Sequence, residues 1–320
     1  MDVVILTDKR YAGQPSSTGP VAGYVDNLLL EDRLVANALR ELDLVVDRRA
    51  WCDASMDWNR TRSAVFRTTW DYFDRWNEFS PWLENTAKQT RLFNAPALVR
   101  WNLDKHYLQD LEQTGVVVVP TTYVDKRKHV PLSQTAEAYG WSKVVIKPAI
   151  AGGAVDTYLV NLQDDAHVLS PQPPNQEHRE TLWHNLVAKQ DMLVQPFLTN
   201  VVRAGEVSLV WIDGKVTHGV LKQAKSGDFR VQDDHGGTVH LIEVDTEMAS
   251  LAQDIMDRCL SLCTERDWEP PLYARVDVMR GESGEWMLSE LEMVEPELWF
   301  RFCPEAAHIL AKAIKERLDA

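Results

Sequence analysis

Two lysines, a glycine pair and three carboxylates are the residues of this chain whose types and spacing suit chemistry on a phosphorylated ligand. Lys147 ends a β-branched run over residues 143–148, and Gly152 and Gly153 follow within the small-residue stretch IKPAIAGGA, with Lys105 upstream. Glycines in such a loop let backbone N–H groups approach phosphate oxygens, and lysine adds a compact positive charge. The spacing is neither a Walker A nor a GxGxxG fingerprint, so the loop alone also reads as a plain turn. Asp277 in YARVDVM and Glu290 with Glu292 in SELEMVEP lie on two adjacent expected strands joined by the turn GESGE. Strand side chains alternate faces, so Glu290 and Glu292 share one side and pairing can bring Asp277 beside them. Three like charges there repel unless a hard cation neutralises them, and carboxylates with nucleotide phosphates are the usual Mg²⁺ arrangement. A solvated acidic face is the competing reading. Against it, Leu288, Leu291, Met293 and Val294 mark the strand as buried on at least one side.

Further residues cluster around this set. Arg275, two positions before Asp277, projects to the same strand face, while Lys222 precedes KSGDFRVQ and Arg230 lies within it. Arg230 also reads as an exposed strand residue. In RTTWDY, Arg67, Trp70, Asp71 and Tyr72 emerge at the C-terminal end of an expected strand, where open α/β sheets bind ligands. Arg67 suits a substrate carboxylate and Asp71 its ammonium, while Trp70 and Tyr72 either wall the pocket or pack between domains. His235, with Gly236 and Gly237, suits a mobile flap.

The elements that must position these residues follow from pattern. Strands are expected at 3–6, 44–46, 64–66, 116–119, 143–148, 192–198, 272–279 and 286–294, and helices at 26–42, 103–113, 247–266 and 305–318. Residues 206–212 and 215–220 form a hairpin about the Asp213-Gly214 turn, and residues 170–178 form an exposed connection. The 320 residues suggest two or three domains, and 45% apolar content is ample for a buried core. With 34 Lys+Arg against 48 Asp+Glu the net charge is −14, which disfavours nucleic-acid and anionic-membrane partners while leaving room for a focused phosphate pocket. The four cysteines make neither a disulfide framework nor a paired metal motif. The N-terminus MDVVILTDKR has no basic stretch before a long apolar run, so a cytoplasmic location is expected.

In order along the chain, Lys105, VVIKPAIAGG, MLVQPFL, Glu206, ARVDV and SELEMVEP resemble the ATP-grasp superfamily, in its glutathione synthetase and D-alanine:D-alanine ligase-like branch. RTTWDY, RWNLDKHYLQDL, PTTYV and KSGDFRVQDDHGG look closest to O-ureido-serine cyclo-ligase-like proteins of cycloserine biosynthesis. The resemblance implies an α/β (α+β) fold: an N-terminal open α/β domain over residues 1–100, then two α+β subdomains over 101–196 and 197–320 that clasp ATP. It implies that Lys105, Lys147, Gly152 and Gly153 meet the nucleotide. Gln195, Pro196, Phe197 and Leu198 would read adenine, and Glu206 the ribose. Asp277, Glu290 and Glu292 would hold two Mg²⁺ ions, with Mn²⁺ the alternative metal. Many relatives carry Asn where this chain has Glu292. Arg275, Lys222 and Arg230 would act on the acyl phosphate and its tetrahedral intermediate. The implied activity is an ADP-forming carboxylate–amine ligase on a small amino-acid-like substrate, either ring-closing or joining two molecules. A non-catalytic ATP-binding module is the third reading, and the resemblance leaves the oligomeric state open, a homo-oligomer being one outcome.

Overall fold

The computed structural model describes residues 1–13, 22–163, 176–231 and 236–320, and its strands form three sheets. The first strand, β1 (Val3–Thr7), is buried throughout, as an unbroken apolar run is in a parallel sheet covered on both faces. It lies between β2 (Val46–Ala50) and β3 (Ser63–Thr68), with β4 (Arg91–Phe93) beyond β3 and every pairing parallel. Helices α1 (Ala22–Arg40) and α2 (Trp76–Thr86) make the crossovers. β2 starts at Val46 and not at residue 44, because Asp43 adopts a φ of 64° after α1 and the chain turns there. Neither α2, with Pro81 inside it, nor three-residue β4 was expected from the pattern. Much of the tryptophan is structural: Trp51, Trp58 and Trp82 stack edge-on around Phe66 and Phe79 beneath this sheet.

The second sheet runs β5 (Thr122–Val124), β8 (Met192–Pro196), β6 (Lys143–Pro148) and β7 (Tyr158–Asn161), all antiparallel. Between the first two sheets the expected single helix over 103–113 is two, α3 (Pro96–Leu103) and α4 (Tyr107–Gln113). Asp104 is extended and its carboxylate accepts the His106 N–H at 3.0 Å, an Asx turn that breaks the helix. The third sheet is antiparallel in the order β11 (Thr238–Ile242), β10 (Lys215–Gln223), β9 (Glu206–Ile212), β12 (Tyr273–Arg280), β13 (Trp286–Glu292). Asp213 and Gly214 turn β9 into β10 with φ of 44° and 93°, the left-handed pair a type I′ hairpin requires. Helices α5 (Leu132–Glu137) and α6 (Gln176–Val187) pack on the second sheet; of the connection expected over 170–178, residues 170–175 lie outside the described residues and 176–178 open α6. Short α7 (Asn200–Ala204) enters the third sheet, and α8 (Thr246–Glu265), capped by Asp245 accepting the Met248 N–H at 2.8 Å, packs on it. The last helix, α9 (Pro304–Asp319), returns to pack on α1.

β13 is an edge strand, and side chains complete it. Asn102 donates to the Leu291 carbonyl and accepts the Met293 N–H, both at 2.6 Å, and the Tyr107 hydroxyl accepts the Leu291 N–H at 2.8 Å. The run 116–119, expected as a strand, contributes one parallel bridge to the same edge through Val118 and Leu288. A row of unpaired edge groups is thereby covered, and the strand carrying Glu290 and Glu292 is fixed from both sides.

The chain after β13 is held from the N-terminal domain. Buried Glu31 on α1 accepts the backbone N–H groups of Phe300 and Arg301 at 2.7 and 3.0 Å and the Arg301 guanidinium at 3.2 Å. Removing it strands those donors in a dry site. Glu31→Ala is therefore expected to cost about 3 kcal/mol in urea unfolding. A loss under about 1 kcal/mol would show that the loop holds itself.

Candidate active site

One cavity of about 470 Å³ opens where the three sheets meet, and it gathers nearly all the chemistry-bearing residues. Strand register explains how. β12 pairs with β13 so that Arg275 faces Glu292 and Asp277 faces Glu290, β9 places Ser208 opposite Asp277, and β10 places Lys222 opposite Glu206. A bulge at Ser289 puts its hydroxyl 3.0 Å from the Asp277 carbonyl and 3.1 Å from the Glu206 carboxylate.

The carboxylates are neutralised by side-chain cations. Arg275 reaches Asp277 through Nε at 2.9 Å and an NH2 group at 2.7 Å, and also pairs with Glu292. Lys222 pairs with Glu206 and lies 3.2 Å from Asp277, and Lys105 lies 3.1 Å from Glu290. Burial raises the Asp277 carboxyl, but Arg275 and Lys222 outweigh it and leave the group well below the usual carboxylate range. Burial likewise raises Glu290, and Lys105 with Lys147 reverses the shift. Burial pushes Glu292 up to about 7, with the charges of Glu290 and Asp277 adding to it and Arg275 opposing it without reversing it. Burial lowers the Lys147 ammonium despite Glu290. The oxygens of Asp277, Glu290 and Glu292 lie within 4.8 Å of one another, so this all-oxygen set, already balanced by cations, fits a hard divalent ion.

Lys105 sits in the break between α3 and α4, where its N–H bonds the Ala149 carbonyl at 2.9 Å and its ammonium the Ala151 carbonyl at 2.7 Å. The lysine thus ties down the loop bearing Gly152 and Gly153. Gly153 and Ala154 take φ of 57° and 55°, the left-handed turn of the loop. A side chain on Gly152 would meet Phe73 of the N-terminal domain at 3.4 Å. Gln195, whose amide bonds the Thr121 hydroxyl at 2.8 Å, lines the cavity with Pro196, Phe197 and Leu198, and the Phe197 ring meets Phe229 edge-on. Arg230 lines it too, fixed by Asp228 at 2.8 Å. His235 lies outside the described residues. Gly237 packs where a Cβ would come 2.3 Å from the Val231 carbonyl.

RTTWDY divides. Trp70 and Tyr72 line the cavity, and Trp70 donates to the Glu295 carbonyl at 3.1 Å. Arg67 and Asp71 do not reach it. Arg67 is buried against the loop after β13, donating to the Pro296 carbonyl at 3.1 Å with its guanidinium over the Phe300 ring. Asp71 accepts from Trp51 at 2.6 Å and Arg75 at 2.8 Å beneath α2. Both build the N-terminal domain and its contact with the loop. Asp71→Asn is accordingly expected to leave the KM of an amino-acid substrate within about two-fold while costing about 1–2 kcal/mol in thermal unfolding, the worth of a charge-assisted hydrogen bond. A ten-fold KM rise would return Asp71 to the site.

The pattern gave no role to Glu295 or Glu297, and little to Trp299. Trp299, at a φ of 47°, lies under the guanidinium of Arg275 at 5.2 Å and the ammonium of Lys222 at 5.8 Å. Burial, with the charge of Glu292 adding to it, pushes the Glu295 carboxyl up to about 8. The signal for these three was the run EPELW directly after the metal-type carboxylates.

Residues 3–94 match the family described as D-cycloserine synthetase DcsG, N-terminal domain, and residues 165–263 match the RimK-like ATP-grasp domain. Cycloserine biosynthesis protein DcsG of Streptomyces lavendulae is 31% identical over 300 residues, covering 88% of this chain and 91% of that protein. The crystal structure of D-cycloserine synthetase DcsG superposes with a TM-score of 0.79 at 26% identity, covering 99% of this chain and 100% of the other. D-alanyl-alanine synthetase A from Vibrio cholerae shares the fold, with a TM-score of 0.68 at 12% identity over 100% of this chain and 99% of its own. So does the ATP-grasp ligase PsnB, complexed with minimal precursor, Mg and ADP, with a TM-score of 0.59 at 14% identity, covering 99% of this chain and 98% of its own.

Proposed function

This chain belongs to the DcsG family of ATP-grasp ligases, and from that premise we propose that it closes a small ring within one amino-acid-derived molecule, an O-ureido-serine-type substrate giving a cyclic amide of the cycloserine kind. Read as an ADP-forming C–N ligase it would take ATP, with Mg²⁺ the hard ion that the all-oxygen set suits. The observation that carries the residue roles is the register that sets Arg275 against Glu292, Asp277 against Glu290 and Lys222 against Glu206 around one cavity.

In this reading Lys105, Lys147 and the Gly152-Gly153 loop hold the nucleotide phosphates, Gln195 to Leu198 face adenine and Glu206 the ribose. Asp277, Glu290 and Glu292 would hold two Mg²⁺, which would neutralise phosphate charge during transfer. The substrate carboxylate oxygen attacks the γ-phosphorus, the bond to the β-phosphate oxygen breaks, and ADP and an acyl phosphate result. The oxygen-bound ureido nitrogen of the same molecule then attacks the acyl carbon, phosphate leaves and the nitrogen proton is lost, which gives an N-carbamoyl ring; water then cleaves the carbamoyl C–N bond, releasing ammonia and carbon dioxide and returning a proton to the ring nitrogen. Arg275 and Lys222, braced over Trp299, stabilise the oxyanion, and Arg230 orients the carboxylate. Water must be excluded from the acyl phosphate, so the loop at Gly152 and the segment at Gly237 are expected to close on the nucleotide. Proteolysis with and without a nonhydrolysable ATP analogue reads this as protection at both sites; identical cleavage patterns would oppose it.

The activity itself is tested by ADP release across single amino acids, amino-acid pairs and ureido precursors. ADP formed with O-ureido-serine alone supports ring closure. Release that requires two amino acids would make the enzyme a dipeptide-forming ligase instead.

A further inference from the structure

With Asp71 committed to Trp51 and Arg75, the group that would receive a substrate ammonium has to be found elsewhere in the cavity. Most carboxylates facing it are taken. Glu206 and Asp277 pair with Lys222, Asp277 and Glu292 with Arg275, Glu290 with Lys105, and Glu297 with Arg301. Asp74, at the rim, is exposed and solvated. Glu295 differs from all of these. It lines the cavity together with Tyr72, and no lysine, arginine or histidine among the described residues forms an ion pair with it.

A carboxylate set into a largely dry wall without a cation is costly to keep charged, and a cation brought by the ligand removes that cost. The surroundings suit a small ammonium. Trp70, Tyr72 and Trp299 line the same cavity, and aromatic faces attract cations. Trp70 anchors the Glu295 backbone by donating to its carbonyl at 3.1 Å. Glu295 lies three residues beyond Glu292, within about 10 Å along an extended chain. A ligand whose carboxylate meets Arg275 and Lys222 can therefore present an ammonium on the adjacent carbon to Glu295.

We infer that Glu295, its backbone anchored by Trp70, binds the α-ammonium of a zwitterionic amino-acid substrate and so selects α-amino acids over simple carboxylates. This rests on the amino-acid reading of the site given above.

The test is calorimetric binding, in the presence of ADP and Mg²⁺, of O-ureido-serine and of its deamino counterpart 3-(ureidooxy)propanoate to wild type, Glu295→Gln and Tyr72→Phe, with phosphate release from ATP followed in parallel. Wild type is expected to prefer the ammonium-bearing ligand by at least ten-fold. Glu295→Gln should cut that preference below two-fold, and Tyr72→Phe, which keeps the carboxylate and the aromatic wall but removes a neighbouring hydroxyl, should leave an intermediate value. An undiminished preference in both variants overturns the assignment. Binding preference lost in Glu295→Gln, with no phosphate released by wild type, supports the assignment and instead contradicts O-ureido-serine as the ligase substrate.

Discussion

Glu290→Gln is expected to lower ATP-dependent turnover by about three orders of magnitude in a protein that still folds. Glu290 stands directly across from Asp277 in the β12–β13 pairing and shares a 4.8 Å cluster of oxygens with it and Glu292. The amide keeps the shape and one oxygen but loses the charge that a hard divalent ion prefers. Metal neutralisation of transferring phosphate is worth several kcal/mol, and each 1.4 kcal/mol is ten-fold in rate, which gives about 10³. Folding is spared because Leu288 and Leu291 on the same strand stay buried and the β13 edge remains held by Asn102 and Tyr107. Steady-state ADP release measured beside a thermal melt separates the two effects. Turnover within ten-fold of wild type would remove Glu290 from the metal set.

Arg275→Met should be comparably severe for a different reason. The guanidinium bridges Asp277 and Glu292 while its face rests over Trp299. Oxyanion donors of this kind contribute about 10²–10³ in kcat. Loss of the same group leaves Glu292 without its cation, and breaking a buried pair costs about 3–5 kcal/mol. Arg275→Lys should recover little of either, because one ammonium cannot reproduce the planar fork that serves two carboxylates. A further consequence distinguishes this residue from a purely structural one: Mg²⁺ with ADP should raise the melting temperature of Arg275→Met more than that of wild type, since the ion neutralises carboxylates that the arginine no longer covers. Equal increments in the two proteins, or a kcat within ten-fold of wild type, would contradict the assignment.

The strand-borne part of the site was legible in the sequence because alternation alone decides which side chains share a face. Arg275, Asp277, Glu290 and Glu292 were placed together on that basis, and the register brings them to one cavity wall. Lys147 and the glycines after it were found for the same reason, as the end of a β-branched strand and its turn. What failed depended on contacts remote in sequence. Arg67 and Asp71 have the residue types of a substrate site, but Pro296 and Trp51, chosen by the tertiary fold, claim them. Residues 116–119 have a strand's composition yet make one bridge, because Asn102 and Tyr107 already occupy much of the β13 edge. The break at Asp104 is an Asx turn within a helical pattern, and it frees Lys105 to face Glu290. Glu295 and Trp299 lie in an irregular loop with no period to read, and its path is set by Glu31 more than 260 residues away.

In the proposed mechanism the substrate carboxylate is activated as an acyl phosphate before the carbon–nitrogen bond forms. The most direct test supplies substrate labelled with ¹⁸O in both carboxylate oxygens and follows the released phosphate by ³¹P NMR. Transfer through an acyl phosphate delivers one labelled oxygen to each phosphate formed, and that is the predicted result. Phosphate carrying only unlabelled oxygen, released in step with product, would contradict it.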